Sequence, residues 1–491
     1  MMAIAKSAAR WRPVALAWRA FDALRRYWAV LAILLLGGLL GAFLPIYSEM
    51  TSGSLSALVA VPALLLLICC IAYDRKFLLI MILLLRASGD VFLESTRIGG
   101  LINVAVVMLA TLLVLEQPRL FPRRYLAPWA LFLALCVFGV VMSPLKFEAL
   151  RVLIAQMSYF SMFVAAFYMV RKPEDLQYYM KVLLASSVIP VLYSAVDFAL
   201  HHNENGGGGY RIRSTFSHAN IFAFYLTLMI GLTFYMFKQA TARRDQFWRG
   251  CGWALYLLVL LGLLVGTRTR SAWLACFLMF FVYAIFFERK YFIYMLLAGV
   301  VGMFLPGVAD RLTDLASGNQ VGTYAKLNSY AWRVYLWESG LNWMAPSDFV
   351  LGRGLQAFKD QVIYFFPMAS GVHWNAHSVY VQLIYETGIV GLLFYLRLYY
   401  AALRQLFGII KLDRMAGFVV LMAVFNFLLA AYSDNLLDYL NFNWYLWFLI
   451  GAGCAYVSVA KPAADAAAAA AKAAAALAPP PPGRYAPRAP F

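Results

Sequence analysis

Charge is what this chain has least of. Only 13% of its 491 residues are charged, while 64% are hydrophobic, and the mean hydropathy is +0.74. A soluble domain is about half apolar and a quarter charged, so an array of soluble domains is excluded. Acids are scarcer than bases: 23 Asp and Glu stand against 41 Lys and Arg, a net charge of +18. Such a balance first reads as nucleic-acid binding. Here the bases lie mostly in short loops between apolar runs, as topology signals do, so no nucleic-acid partner is expected. Cysteine is rare as well. Cys69, Cys70, Cys136, Cys251, Cys276 and Cys454 form no CxxC pair, and nearly all sit inside apolar runs. They read as small core residues, not as a disulfide framework or a zinc site. No DxD-type or other metal-ligand cluster is present, and neither metal nor cofactor is expected.

What is present is a series of runs long enough to cross a hydrocarbon core, about 20 residues each. They predict an all-α polytopic membrane protein with spans at 28–47, 55–73, 77–95, 98–116, 125–143, 149–170, 178–201, 217–237, 252–267, 271–287, 291–308, 378–399, 415–432 and 438–460. Arg86 and Asp90 interrupt the third, which leaves open a broken or re-entrant element. Residues 1–27 are basic and amphipathic, with no small-residue cleavage site. They read as a cytoplasmic membrane-surface helix. Residues 461–491, rich in Ala and Pro, are expected to be a disordered cytoplasmic tail, although the alanine run is helix-prone. Every second loop is basic: Arg75–Lys76, then Arg119, Arg123 and Arg124, then Arg171–Lys172, Lys238 to Arg249, Arg289–Lys290, and Arg404 to Arg414. By the positive-inside rule both termini are cytoplasmic, with about fourteen spans, or twelve if an early pair is miscounted.

The remaining loops would face outward: 202–216, 267–271, the long loop 309–377, and SDNLLD at 433–438. His201, His202, His218, His373 and His377, the only histidines, fall on or beside this face. So do Arg211, Arg213, Arg268, Arg270, Arg333 and Arg353, against the topology signal. Ordinary surface ion pairing would explain any one of them. It fits Arg270 less well, at a span end in a turn of a few residues. A planar, permanent cation there suits a phosphate or pyrophosphate ligand. The segment 330–344 has a helical rhythm, either lying on the membrane or packed as core beneath the loop, and would hold Arg333 on a fixed element. LGRGLQAF at 351–358 supplies turn glycines and is weak evidence for phosphate binding. Glu386 lies nine residues beyond His377, about 13 Å at 1.5 Å per residue, too deep to share a proton with it. Asp434 and Asp197 are weaker acid/base or acceptor-binding candidates.

Four pieces together resemble the O-antigen ligase and polymerase superfamily, which includes WaaL-type ligases and Wzy-type and exopolysaccharide polymerases. They are RIRSTFSHANIFAFYL at 211–226, GTRTRSAWLA at 266–275, WRVYLWESGL with VLGRGLQAF in the long loop, and His377-Ser378 followed by Gly388 and Gly391. Thr269 stands where serine is usual. The resemblance covers about residues 200–400. It implies a GT-C-like, metal-independent glycosyl transfer on the periplasmic side of a bacterial inner membrane. The donor would be a glycan on undecaprenyl pyrophosphate, and the acceptor a sugar hydroxyl on another lipid-linked unit or on lipid A-core. Flippase and chain-length or export proteins are implied partners. Under that reading His377 is the base, with capping of its own helix or bonding a loop carbonyl as the alternative role. Arg211, Arg213, Arg270 and Arg333 bind the pyrophosphate, and His218, Arg268, Asp434 and Glu386 are weaker site candidates. Polymerase, ligase and lipid-linked-glycan transporter remain the readings in contention. Polymerase is preferred for the aromatic loop and its two arginine clusters. The transporter ranks last, because polar groups gather at one face.

Overall fold

The computed structural model of the chain describes residues 74–91, 99–201, 210–304, 308 and 327–477. The basic N-terminus, the expected spans at 28–47 and 55–73, and residues 478–491 of the tail lie outside them. Among the described residues every regular element is helical.

The first helix, α1 (Arg75–Leu85), is capped by Asp74, whose carboxylate accepts from the Lys76 and Phe77 amides. It ends where the sequence turns polar. A 3-10 turn, Arg86–Ser88, follows, so the element expected over 77–95 is the broken one. Its exposed backbone is satisfied from elsewhere in the bundle, as irregular backbone at membrane depth requires. The Ala87 amide donates to the Tyr445 hydroxyl at 3.1 Å, and that hydroxyl donates to the Leu83 carbonyl at 2.7 Å. Thr215 donates to the Ala87 carbonyl at 2.7 Å. Buried Arg86 pairs with Asp90 at 3.3 Å and lies 5.6 Å from the centre of the Trp444 ring.

Next come α2 (Gly99–Glu116), α3 (Leu126–Met142) and α4 (Lys146–Met169). The span expected at 178–201 begins earlier and is two helices, α5 (Pro173–Ala185) and α6 (Val188–His201). They part at Ser186 and Ser187. These hydroxyls donate back to the Leu183 and Leu184 carbonyls and sit 2.7 Å from the hydroxyls of Tyr225 and Tyr256. Such back-bonding bends a helix.

The centre is α7 (Ala219–Thr241), with 83% of its most apolar window inside the protein, whereas α8 (Phe247–Gly266) has 17%. An all-round apolar helix so exposed is a lipid-facing rim, and the core helix is the one that must pack. Two shorter apolar helices follow, α9 (Arg270–Phe286) and α10 (Tyr291–Met303). The long loop contributes α11 (Ser329–Trp343) and α12 (Ala357–Phe365). The bundle closes with α13 (Val379–Leu406), α14 (Arg414–Ala430) and α15 (Leu440–Leu477). Seven of the described helical stretches are long and apolar enough to cross a membrane, and shorter apolar helices accompany them. The protein is an all-α, multi-pass membrane protein. The last helix passes the expected boundary at 460 and carries the alanine run as far as Leu477, in keeping with alanine's propensity.

Lipid removes the hydrophobic drive between spans, so close packing must join them. Rings from four helices do this at Trp447 of α15. Trp129 of α3 lies 4.7 Å away, Tyr399 of α13 4.9 Å, and Phe163 of α4 6.0 Å, with the tilted and edge-on geometry aromatic pairs prefer. Basic loops gather at one end of the bundle: Lys238 and Lys290 pair with Glu288, and Arg414 donates to the Phe286 carbonyl at 2.7 Å. By the run of α7 from His218 to Lys238, residues 210–218 lie at the other end, called here the polar end.

Candidate site at the polar end

Asp197, on α6, is buried and organises the loop before α7. Its carboxylate accepts from the Arg213 and Ser214 amides at 3.0 and 2.8 Å and from the Tyr210 hydroxyl at 2.5 Å. Ser214 has φ +55° there. This carboxylate shapes RIRS, and its oxygens are occupied by that loop. His218 caps α7, its Nδ1 accepting from the Asn220 amide at 3.1 Å.

Arg211 ties together three helix ends. Its Nε donates to the Thr267 carbonyl at 2.9 Å, and one terminal nitrogen reaches Asn220 Oδ1 at 2.6 Å and Thr269 Oγ1 at 2.9 Å. The hydroxyl that replaces serine at 269 is therefore in use. Asn220 in turn donates to Asp434 at 2.8 Å. Asp434 is buried and also accepts from the Tyr439 hydroxyl at 2.8 Å and the Asn435 amide at 3.0 Å. The chain Arg211–Asn220–Asp434–Tyr439 thus joins α7, the α8–α9 turn and the α14–α15 loop. Asp434→Ala is expected to take the acceptor from Asn220 Nδ2 and from the Tyr439 hydroxyl, at a cost of roughly 1–3 kcal/mol. A fall in the thermal midpoint of the detergent-solubilised protein measures it, and an unchanged midpoint refutes the tie.

Arg270, at the first position of α9, donates to the Ser329 hydroxyl at 2.6 Å. Ser329 opens α11, and Arg333 follows four residues later on the same face, which brings these two arginines to one area. Arg333 is half-buried and has no hydrogen bond or ion pair among the described residues. Arg268 sits in the turn between α8 and α9 at φ +53°. Arg353 differs: it pairs with Asp348 at 2.7 Å and donates to Gln361 at 3.0 Å. It is an ordinary ion pair within the long loop.

Of the two roles open to 330–344, the structure has core packing. Leu336, Trp337 and Gly340 of α11 are buried. Leu336 joins Phe358 and Phe365 of α12 and Tyr385 of α13 in a second small core. The glycines of LGRG do not cradle an anion. The Arg353 and Gly354 amides donate to the carbonyls of Tyr385 and Glu386, both at 2.9 Å. They cap the first half of α13, which breaks at Gly388 (φ +71°). Glu386 is held by Gln382 and by the amides of Gln356 and Phe358 at the start of α12. Its carboxyl group thus has a structural setting at the start of α12, away from the loop residues above.

His377 comes directly before α13, with Ser378 as the cap. The alternative of a helix-capping histidine is thereby removed, since Ser378 takes that place. His377 has φ +47°, a conformation costing roughly 1–3 kcal/mol outside glycine. Asn375 holds it: its Oδ1 accepts from the His377 amide at 3.2 Å and its Nδ2 donates to Asp438 at 3.0 Å. The imidazole makes no side-chain hydrogen bond among the described residues and lies against the rings of Trp332 and Trp374, 5.8 and 6.2 Å between centres. Burial, with the charges of Arg333 and His218, lowers its pKa to about 4 against the opposing pull of Asp434. At neutral pH the ring is uncharged and keeps a lone pair. Among the described residues no three His, Cys, Asp or Glu side chains come together as metal ligands.

Arg211, His218, Arg333, His377 and Asp434 are therefore near neighbours, and Arg270 joins them through α11. Asn220, Asn375 and Asp438 are added to them by the structure. Asn220 lies in a quoted motif and Asp438 in a quoted loop, but their partners are remote in sequence.

The fold and this end of it define a multi-pass helical membrane protein with a half-buried neutral histidine among arginines. Residues 255–396 match the Wzy_C family model, described as O-Antigen ligase, so this stretch is similar to the O-antigen ligase/polymerase superfamily. The matched stretch carries Arg268, Arg270, Arg333, His377, Gly388 and Gly391. No curated protein matches the sequence.

Proposed function

We propose that the protein is a membrane glycosyltransferase that moves a glycan from undecaprenyl pyrophosphate to a sugar hydroxyl outside the cytoplasm, as a polymerase of lipid-linked repeat units. One observation carries the reading: a neutral, unpartnered imidazole beside the unpartnered guanidinium of Arg333. The acceptor hydroxyl oxygen bonds to the anomeric carbon as the carbon–pyrophosphate bond breaks. His377 takes the hydroxyl proton, and the pyrophosphate leaves with the electron pair. That leaving group needs charge neutralisation more than a proton. Arg333 and Arg270 are the first candidates to supply it. Arg211 and Arg213 support the loop around them, and Arg268 lies in the adjoining turn. The description of the matched family as a ligase favours the second reading, transfer of a finished glycan to lipid A-core.

The test is the lipid-linked glycan profile of cells lacking this protein. A missing polymerase leaves single repeat units on the carrier at the outer leaflet, and a missing ligase leaves long chains there. An unchanged profile sinks both readings.

The pH dependence follows from the burial of His377 first and from the charges around it second. A base with its pKa near 4 is neutral above that value, so the transfer rate is expected to be flat from about pH 6 to 8 and to fall only as pH approaches 4. Arg333→Ala removes a charge that opposes protonation. Its acid limb should move up, towards the ordinary 6.5, while Arg333→Lys should leave it in place. A limb that does not move argues against Arg333 acting on His377.

A further inference from the structure

His377 also borders something other than the arginines. A cavity of ≈ 540 Å³ opens beside it, within the roughly 300–1,000 Å³ typical of ligand sites. None of Arg211, Arg213, Arg268, Arg270 and Arg333 lines it. Its wall is made by α4, the start of α12, the loop 372–377 and the turn before α15.

The chemistry of this wall differs from that of the arginine cluster. Gln156 of α4 is 4% exposed, lines the cavity, and has no hydrogen-bond partner among the described residues. Its amide therefore faces the cavity without an internal partner, and an occupant of the cavity would bond to it. Trp374 also lines the cavity and offers its ring there. Asp438 Oδ2 accepts from Asn375 and Asn435 at 3.0 and 2.8 Å, whereas Oδ1 has no partner among the described residues. The Asp438 side chain is exposed and lines the cavity. Arg151 and Lys359 are matched by Glu148 and Asp438, so the wall carries both signs. A pyrophosphate would meet two carboxylates here. Hydroxyl groups would meet amides, a carboxylate and an indole, which suits a sugar.

We propose that this cavity is the acceptor subsite: it binds the end of the acceptor glycan through Gln156, Asp438 and Trp374 and presents one sugar hydroxyl to His377. The inference rests on the glycosyl-transfer reading above. His377 is then the residue shared by the two substrates, with the donor pyrophosphate on the arginine side and the acceptor in the cavity. Asp438 has a second part, since through Asn375 it holds the His377 backbone.

The test uses the full-length protein in lipid nanodiscs, with lipid-linked glycan from the deletion strain as donor and fragments of the same glycan as acceptor. Gln156→Ala and Asp438→Asn are expected to raise the acceptor KM about tenfold each, the cost of a lost hydrogen bond. Undecaprenyl pyrophosphate alone serves as the probe of the donor side, and its Kd should stay within about twofold. Ala155→Trp, which narrows the cavity from α4, should act in the same direction, so the result does not hang on one variant's folding. Unchanged acceptor KM in all three variants overturns the subsite, as does a weakened Kd for undecaprenyl pyrophosphate matching the KM change. His377→Ala separates the two levels. If it blocks transfer while the cavity variants behave as the parent, only the subsite fails. If the parent protein transfers no glycan, the glycosyl-transfer reading fails and the subsite with it.

Discussion

His377→Ala is expected to lower glycan transfer by about 10²–10⁴-fold, the usual contribution of a general base, at unchanged protein level. The expectation stands on geometry before family. The ring has no side-chain hydrogen bond among the described residues, so no internal partner holds its lone pair. It packs against two tryptophans, at a backbone angle few histidines adopt. Strain of this kind persists only where surrounding contacts enforce it. Here Asn375 and Ser378 do so. A purely structural histidine predicts something else, namely loss of folded protein in step with loss of product. The measurement is therefore product per folded molecule, with donor binding recorded beside it. Normal product per folded molecule removes His377 from the chemistry.

Gly388→Ala is expected to have the largest effect on folding. At φ +71° a side chain is already strained, by roughly 1–3 kcal/mol. The added Cβ would also stand 2.1 Å from the Val350 carbonyl oxygen and 2.5 Å from the Leu351 amide nitrogen. Those are backbone atoms and cannot swing aside. Gly352, at φ +73°, faces the same junction from the other side, its added Cβ 2.3 Å from the Glu386 carbonyl carbon. One substitution should therefore part the long loop from the broken helix and misplace α11, α12 and His377 together. The readout is the yield of monodisperse protein in detergent and its thermal midpoint. Gly262→Ala is the control, because nothing lies within 4 Å of its added Cβ. Equal behaviour of the two variants would refute the junction.

Several features were legible because their signals are local. Apolar run length fixes where helices form, and described helices fall on the predicted spans from 98–116 onwards. The helical rhythm of 330–344 foretold α11. The doubtful span over 77–95 was marked by Arg86 and Asp90 themselves, and α1 does stop before them. The parting of α5 from α6 was not legible, because Ser186 and Ser187 act through tyrosines on other helices. Gly388 and Gly391 read as sites of close helix packing. Gly388 instead breaks α13 to let a loop in, and the partner that demands this is Val350, 38 positions away in the chain.

The sequence by itself determined a multi-pass helical membrane protein and the gathering of histidine and arginine in alternate loops, and it singled out His377 as the candidate to test as base. Hydropathy and charge are properties of a segment, and a segment can be read alone. Only the tertiary structure decided what each polar group does. It assigns Asp197, Asp434 and Arg211 to holding loops, and leaves the His377 imidazole and the Arg333 guanidinium without hydrogen-bond partners among the described residues. It also opens a cavity between Gln156, Lys359 and Asp438, residues far apart in the chain. A hydrogen-bond acceptor is satisfied or left open by whatever packs against it, and that is settled only when distant segments meet.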